Sequence, residues 1–398
     1  MQENKPSTAA RLAGALRQLC HYPALVFASL FLCGMLLLGL VMPDRAISEL
    51  ENKTLTQRPA LSRLSVAGLN SYFSACSEYV KDQFFGRDAW IGLQSAAETM
   101  VLQKTEMGGV LLGSDGMMFE RSYGLLASEE RTLPKNVAAL QALAARYQGR
   151  VNVLLVPAAS NFYPDAVPTA APLSDENEYL DEIAADVQNV GGRYIDVRDT
   201  LSAHSGEYIY YRTDHHWTTL GAYYGYEALC EALGLAPFSL QTHEAVTVPD
   251  FYGTHYSKAR TLTAQPDELV YYPLDNPLTV YTVTGAGMPD TGEETGLYAL
   301  EQLDGYDKYA AFLHGNNGLS RIEGDGEGNI LIIKDSYANC FAPFLTANYQ
   351  YIDVVDFRNY NYGLDALDAA NSYDEILVLY SFDSFKSDPY FYRAGAAG

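Results

Sequence analysis

The sequence predicts an α/β domain on a mostly parallel sheet, carried behind one N-terminal transmembrane helix. Three observations predict it. Short apolar runs alternate with amphipathic stretches of helical period, the pattern of strands buried on both faces between helices. The run Ala24–Met42 holds no charge and has the length of a membrane span. Beyond it and the polar stretch over 44–66, roughly 330 residues remain, enough for one large domain or one domain with an insert.

The elements follow in chain order. Residues 1–21, with Lys5, Arg11 and Arg17, read as a cytoplasmic tail. Residues 22–43 read as an anchor with its N-terminus cytoplasmic, because basic residues precede it and acidic ones follow. A cleaved signal peptide and a buried core helix are the rival readings. Met42-Pro43-Asp44-Arg45 is a poor cleavage site. Residues 44–66 are polar, contain Pro59 and read as a stalk. From Leu69 to Lys104 the period is helical, with Tyr72, Phe73, Tyr79, Phe84 and Trp90 as candidate buried aromatics. Gly109 to Phe119 reads as a hairpin around Gly-Ser-Asp-Gly. A helix over 128–147, a buried strand over 151–157, a loop over 158–174, a helix over 176–188 and a strand over 193–197 come next.

Thr218 is the expected cap of a helix over 220–233. Residues 240–300 break the alternation and read as a β-rich insert, with 284–296 as a mobile loop. Alternation then resumes: strand 329–333, helix 338–347, strand 351–355, helix 363–370 and strand 375–379. No internal repeat or low-complexity tract appears.

Charge excludes one class of partner. The chain has 26 Lys and Arg against 49 Asp and Glu, a net of −23. The N-terminal 43 residues are net basic, so the excess acid lies in the domain. Such a domain does not bind nucleic acid through general electrostatics. Five cysteines, Cys20, Cys33, Cys76, Cys230 and Cys340, show neither metal-type spacing nor a disulfide framework. A single bridge and three buried free thiols remain equal readings.

Two segments carry chemistry. Tyr211-Arg-Thr-Asp-His-His-Trp-Thr-Thr219 places a carboxylate two residues before an imidazole. In an extended segment Asp214 and His216 share a face, and such a carboxylate fixes the tautomer of a general base. Far downstream, an apolar strand runs into Lys334-Asp335-Ser336 and a helical stretch follows. Ser336 thereby stands at the carboxyl edge of a parallel strand, where open α/β sheets keep their sites. The bland alternative is that Ser336 only caps the helix. The backbone N–H groups of Ser336 and Tyr337 are candidate oxyanion donors.

The stretches RTDHHWTTLGAYYGY and IIKDSYANCFAPFL resemble the DHHW family of bacterial extracytoplasmic proteins. That family is similar to the AlgX/AlgJ-like polysaccharide O-acetyltransferases of the SGNH-hydrolase type. Asp82–Trp90, Val110–Gly116, Leu155–Pro164 and Phe312–Asn317 extend the resemblance over most of residues 67–382. It implies a three-layer α/β/α sandwich in permuted order, with Asp and His before Ser. It implies Ser336 as nucleophile, His216 as base and Asp214 as its orienting carboxylate, with no cofactor. It implies a polysaccharide acceptor and a polytopic membrane O-acyltransferase (MBOAT) as acetyl donor, beside which the membrane helix holds the domain. The sequence departs from the family's Gly-Asp-Ser at Lys334. With water as acceptor the same triad is an acetyl esterase, and a non-catalytic glycan-binding or assembly protein on the same fold is the rival from another class.

Other residues are weaker candidates. Asn316 and Asn317 follow an apolar run and offer an amide donor to an oxyanion, or a plain turn. Arg358 follows strand 351–355 and suits a carboxylate or a sugar hydroxyl, or a solvated loop. Trp217 suits stacking on a pyranose or packing under the next helix. The Asp-His-His triplet also suits a divalent ion, but no further carboxylate-rich motif accompanies it.

Overall fold

Successive residues of a strand face opposite layers, and the central strands of this chain are apolar on both. Ile330, Ile332, Leu377 and Leu379 belong to one buried cluster. Leu331, Ile333, Ile376 and Val378 belong to the other. The computed structural model describes residues 21–48, 53–60, 66–285 and 287–396, with only the backbone of residues 40, 66, 67 and 284. It divides into two compact units, Met1–Gln94 and Ser95–Gly398.

In the first unit, Pro23–Val41 is a helix of 19 residues. Among the described residues no helix is long and apolar enough to cross a membrane, which corrects the transmembrane anchor expected over 22–43. The helix's flank is partly covered. Met35 is buried, and Phe31 meets Trp90 edge-on at 5.9 Å between ring centres. The cytoplasmic tail expected over 1–21 lies outside the described residues apart from residue 21.

The segment read as a stalk carries structure. Ile47–Ser48 pairs with Lys53–Thr54. The buried Asp82 carboxylate accepts from the Thr56 N–H at 2.9 Å, the Thr56 hydroxyl at 2.8 Å and Lys53 Nζ at 2.8 Å. The single helix expected over 69–104 is two, Val66–Asp82 and Arg87–Ala96, followed by a π-turn at Ala97–Val101. Gly86, at φ 66°, separates them. Its aromatics are not buried: Phe73 and Trp90 are exposed, and Tyr72, Tyr79 and Phe84 are half-buried.

The second unit is built on an eight-stranded sheet. Its strands are β1 (Val151–Val156), β2 (Arg193–Tyr194), β3 (Pro277–Thr284), β4 (Met288–Gly296), β5 (Leu319–Glu323), β6 (Asn329–Lys334), β7 (Tyr351–Val355) and β8 (Glu375–Ser381), in the order β4-β3-β5-β7-β6-β8-β1-β2. The block from β7 to β2 is parallel. The strands β5, β3 and β4 add an antiparallel flank. Helices α1 (Glu129–Arg146) and α2 (Glu176–Asn189) cover one face, and α3 (Thr219–Leu233) with the turns after β6 covers the other. The three-layer α/β expectation holds at this level.

Details differ. Residues 284–296, read as a mobile loop, are mostly strand: β4 pairs with β3 from Pro277↔Gly296 to Thr284↔Met288. Cross-strand pairing overrides a polar, glycine-containing composition there. The strand expected over 193–197 joins the sheet only at Arg193–Tyr194. The helix expected over 338–347 is two 3₁₀ turns, Ser336–Asn339 and Ala342–Ala347. The expected hairpin forms, with Val110–Leu112 against Met118–Glu120. Thr218 caps α3 by accepting the Gly221 N–H at 3.2 Å. The four described cysteines, Cys33, Cys76, Cys230 and Cys340, are free.

Candidate active site

The strand β6 delivers Ser336. It ends at Lys334, and Asp335 turns the chain. One Asp335 oxygen accepts the Tyr337 N–H at 2.9 Å. The other accepts the Ser381 N–H at 3.0 Å and the Ser381 hydroxyl at 2.8 Å, pinning the turn to the end of β8. Tyr337 therefore spends its N–H within the turn, against the expectation that it stays available as an oxyanion donor. The Ser336 N–H has no hydrogen-bond partner among the described residues.

The segment before α3 delivers the imidazole. His216 Nε2 stands 2.7 Å from Ser336 Oγ, and its Nδ1 stands 2.5 Å from Asp214 Oδ1. Both Asp214 and His216 are buried. The second Asp214 oxygen accepts the Thr254 N–H at 2.7 Å and the Thr254 hydroxyl at 3.1 Å. Burial alone would raise Asp214. The His215 and His216 imidazoles and these hydrogen bonds outweigh it and hold the carboxyl well below the usual carboxylate range. Tyr309 stacks on the His216 ring at 3.9 Å and donates its hydroxyl to the Ser336 carbonyl at 3.0 Å.

The segment itself is held from outside. The buried Asp267 carboxylate accepts the Arg212 N–H at 2.9 Å, the Thr213 N–H at 2.8 Å, the Thr213 hydroxyl at 2.6 Å and the Tyr208 hydroxyl. Thus the insert that breaks the strand–helix alternation, residues 240–300, supplies both Asp267 and Thr254 to the site.

The weaker candidates separate. Asn316 Oδ1 accepts from Lys334 Nζ at 2.8 Å and from Asn339 Nδ2 at 3.3 Å. Its own amide N–H₂ has no partner among the described residues. Three successive positive φ angles, at Leu313, His314 and Gly315, bring Asn316 there, a run that costs free energy for the two non-glycine residues. Asn317 turns back to the Leu313 carbonyl at 2.9 Å, as a turn residue does. Arg358 closes on Asp356 through Nε and Nη2, so its guanidinium is largely spent on its own loop. Trp217 is fully buried, lies parallel to Phe341 and donates to the Tyr337 carbonyl at 3.0 Å. No sugar reaches its face, and packing is its role.

Lys334, the departure from glycine, is buried beside Asp356 at 3.6 Å. Burial pushes its ammonium down to about 8. Asp214, His215 and His216 offer three ligand atoms within 4.8 Å of one another, yet both His216 nitrogens and both Asp214 oxygens already have partners. The donor set does not favour a metal. Beside the site opens a cleft of about 690 Å³, reached by His215, Thr254 and Tyr337 and not lined by Ser336 itself.

Sequence reasoning missed Tyr309, Thr254, Gly253 and Asp267. None sits in a motif, and each meets the site only through the fold.

Known proteins share this frame. A curated relative, the probable alginate O-acetylase AlgJ of Pseudomonas syringae pv. tomato, is 30% identical over 133 residues, 32% of this chain and 33% of that protein. The chain thus matches about a third of that relative's length. A solved DHHW family protein from Eubacterium siraeum superposes with a TM-score of 0.60 at 24% identity, over 72% of this chain and 95% of that one. Bacillus cereus PatB1, solved with a sulfonyl adduct, gives 0.54 at 18% identity, over 71% and 98%. These two likenesses speak to the fold. The family model described as "DHHW protein" matches residues 91–355, which span the Asp-His-His-Trp segment, Ser336 and most of the sheet, and the chain belongs to the DHHW family.

Proposed function

We propose that this protein is an acyltransferase that moves an acetyl group through Ser336 to a polysaccharide hydroxyl. The observation that carries the reading is the 2.7 Å contact between Ser336 Oγ and His216 Nε2, with Asp214 on the far nitrogen. His216 takes the Ser336 proton as Oγ attacks the acyl carbon of the donor. The Ser336 N–H and the Asn316 amide receive the oxyanion. The leaving group departs with the proton from His216, and acetyl remains as an ester on Ser336. A sugar hydroxyl then gives its proton to His216 and attacks the ester, and Ser336 leaves with that proton. Asp214 holds the tautomer and stabilises the imidazolium in both steps.

The alginate O-acetylase relative supports a polysaccharide as acceptor. An extracytoplasmic site of action and an MBOAT-type acetyl donor are part of the reading and rest on the family resemblance alone.

The test is covalent. Incubated with a chromogenic acetyl ester, the protein should gain one acetyl group on Ser336, and Ser336→Ala should abolish both adduct and turnover. An adduct elsewhere, or undiminished turnover in the variant, overturns the reading. Acetate as sole product with every glycan offered makes the same site an esterase.

A further inference from the structure

His215 takes no part in the proposed steps, yet it is tied into the site by backbone, ring and side-chain nitrogen. Its carbonyl accepts the Tyr337 hydroxyl, which fastens it to the turn that carries Ser336. Its ring lies 3.8 Å from the ring of His216, on which Tyr309 also stacks at 3.9 Å. Two rings therefore crowd the proposed base.

The hydrogen bond of the His215 side chain goes to the residue that holds Asp214. Its Nδ1 stands 2.6 Å from Thr254 Oγ1. Asp214 Oδ1 is 3.7 Å from the same nitrogen, too far for a direct bond. Thr254 Oγ1 stands 3.1 Å from Asp214 Oδ2, and a hydroxyl has one proton to give. The Asp214 carboxyl is held ionised and can only accept. If Thr254 gave its proton to His215, two oxygens would meet at 3.1 Å with lone pairs alone between them. The proton belongs to Asp214, and His215 Nδ1 must then be the donor to Thr254. Burial, and next the adjoining His216, push the His215 imidazole down against the pull of Asp214. The ring is neutral, with its proton on Nδ1 and Nε2 bare. A neutral neighbour does not oppose the charge that His216 takes up as Ser336 is acylated.

We infer that His215 is a positioning residue for acyl transfer: its Nδ1–H fixes the Thr254 hydroxyl so that the hydroxyl proton points at Asp214, the residue that orients His216. The inference rests on the reading of Ser336 as the acetyl carrier.

The experiment joins a spectrum to a double-mutant cycle. In protein carrying ¹⁵N-labelled histidine, the His215 resonances should show Nδ1 protonated and Nε2 bare. His215→Phe keeps a ring and loses the donor. Single-turnover acylation by a chromogenic acetyl ester should fall about 10-fold, the effect of one hydrogen bond to a charged group, with the ester KM unmoved. Thr254→Val should cost a similar factor. Adding His215→Phe to Thr254→Val should then cost less than about 2-fold, because the link is already cut; a merely structural role makes the two losses multiply. Multiplied losses, an unaltered rate in His215→Phe, or a bare Nδ1 overturn the inference, while a normal wild-type adduct leaves the Ser336 reading standing. The spectrum needs no variant and decides the matter where His215→Phe fails to fold. Absence of the wild-type adduct overturns both readings.

Discussion

A Cβ placed on Gly253 would stand 2.1 Å from the Cβ of Asp214 and 2.3 Å from its Oδ2. Gly253 has an ordinary backbone conformation, φ −92°, so glycine is required there for space alone. The next residue, Thr254, supplies the N–H that fixes Asp214.

Gly253→Ala should therefore displace Asp214 or its Thr254 partner. Turnover should fall about 100-fold or more, since ångström-scale misplacement costs that much. Esterase kinetics beside a thermal melt check it. A variant with the parent's rate would show that the Asp214 contact is dispensable.

Asp214→Asn should keep the shape of the site and lose turnover by about 10³–10⁴-fold. An amide in that place favours the wrong imidazole tautomer and cannot stabilise the imidazolium. Single-turnover acylation is the measurement, and a loss under about 10-fold contradicts the role given to Asp214.

Asp267→Ala strips the acceptor from two backbone N–H groups and two hydroxyls at 208–213. Stability should fall by about 2–4 kcal/mol, the cost of orphaned buried donors, and activity should fall with it because the imidazole segment loses its clamp. Asp267→Asn should recover part of both. Denaturant unfolding with parallel rate measurements decides it, and an unchanged unfolding midpoint in Asp267→Ala removes the clamp.

Lys334 gives a pH dependence. Burial pushes it down to about 8 from an ordinary 10.5. Between those values the unfolded chain binds more protons than the folded one, so this group's contribution to stability rises with pH. The cost of the buried charge is in full force below pH 8 and is relieved by about pH 10.5. Wild type should thus gain on Lys334→Met across that window, by on the order of 2–3 kcal/mol. Unfolding curves of both proteins at pH 7.5 and 10.5 test it. A pH-independent difference contradicts the assignment.

The parallel core was legible because strands buried on both faces must be apolar throughout, as Ile330–Ile333 and Ile376–Leu379 are. The Asp214–His216 pair and Ser336 were legible because local spacing and position at a strand edge constrain them. The N-terminal helix was legible as a helix, but among the described residues no helix is long and apolar enough to cross a membrane, so the span expected over 22–43 is not found. The strand β4 was hidden because pairing with β3 gives order to a polar segment. Trp217 was ambiguous because a ring that packs and a ring that stacks on sugar look the same in one dimension.

By itself the sequence determined which elements form, which carboxylate and imidazole share a face, and where a serine stands at a sheet edge. Only the tertiary structure decided that His216 reaches Ser336 across 120 residues of chain. Only it turned Tyr337's N–H inward, committed Arg358 to Asp356, and brought Gly253, Thr254, Asp267 and Tyr309 around the imidazole. The physical reason is the range of the forces involved. Periodicity and capping act over a few residues and are written locally. The close approaches and hydrogen bonds that aim a reactive group depend on packing between distant segments, which no local pattern encodes.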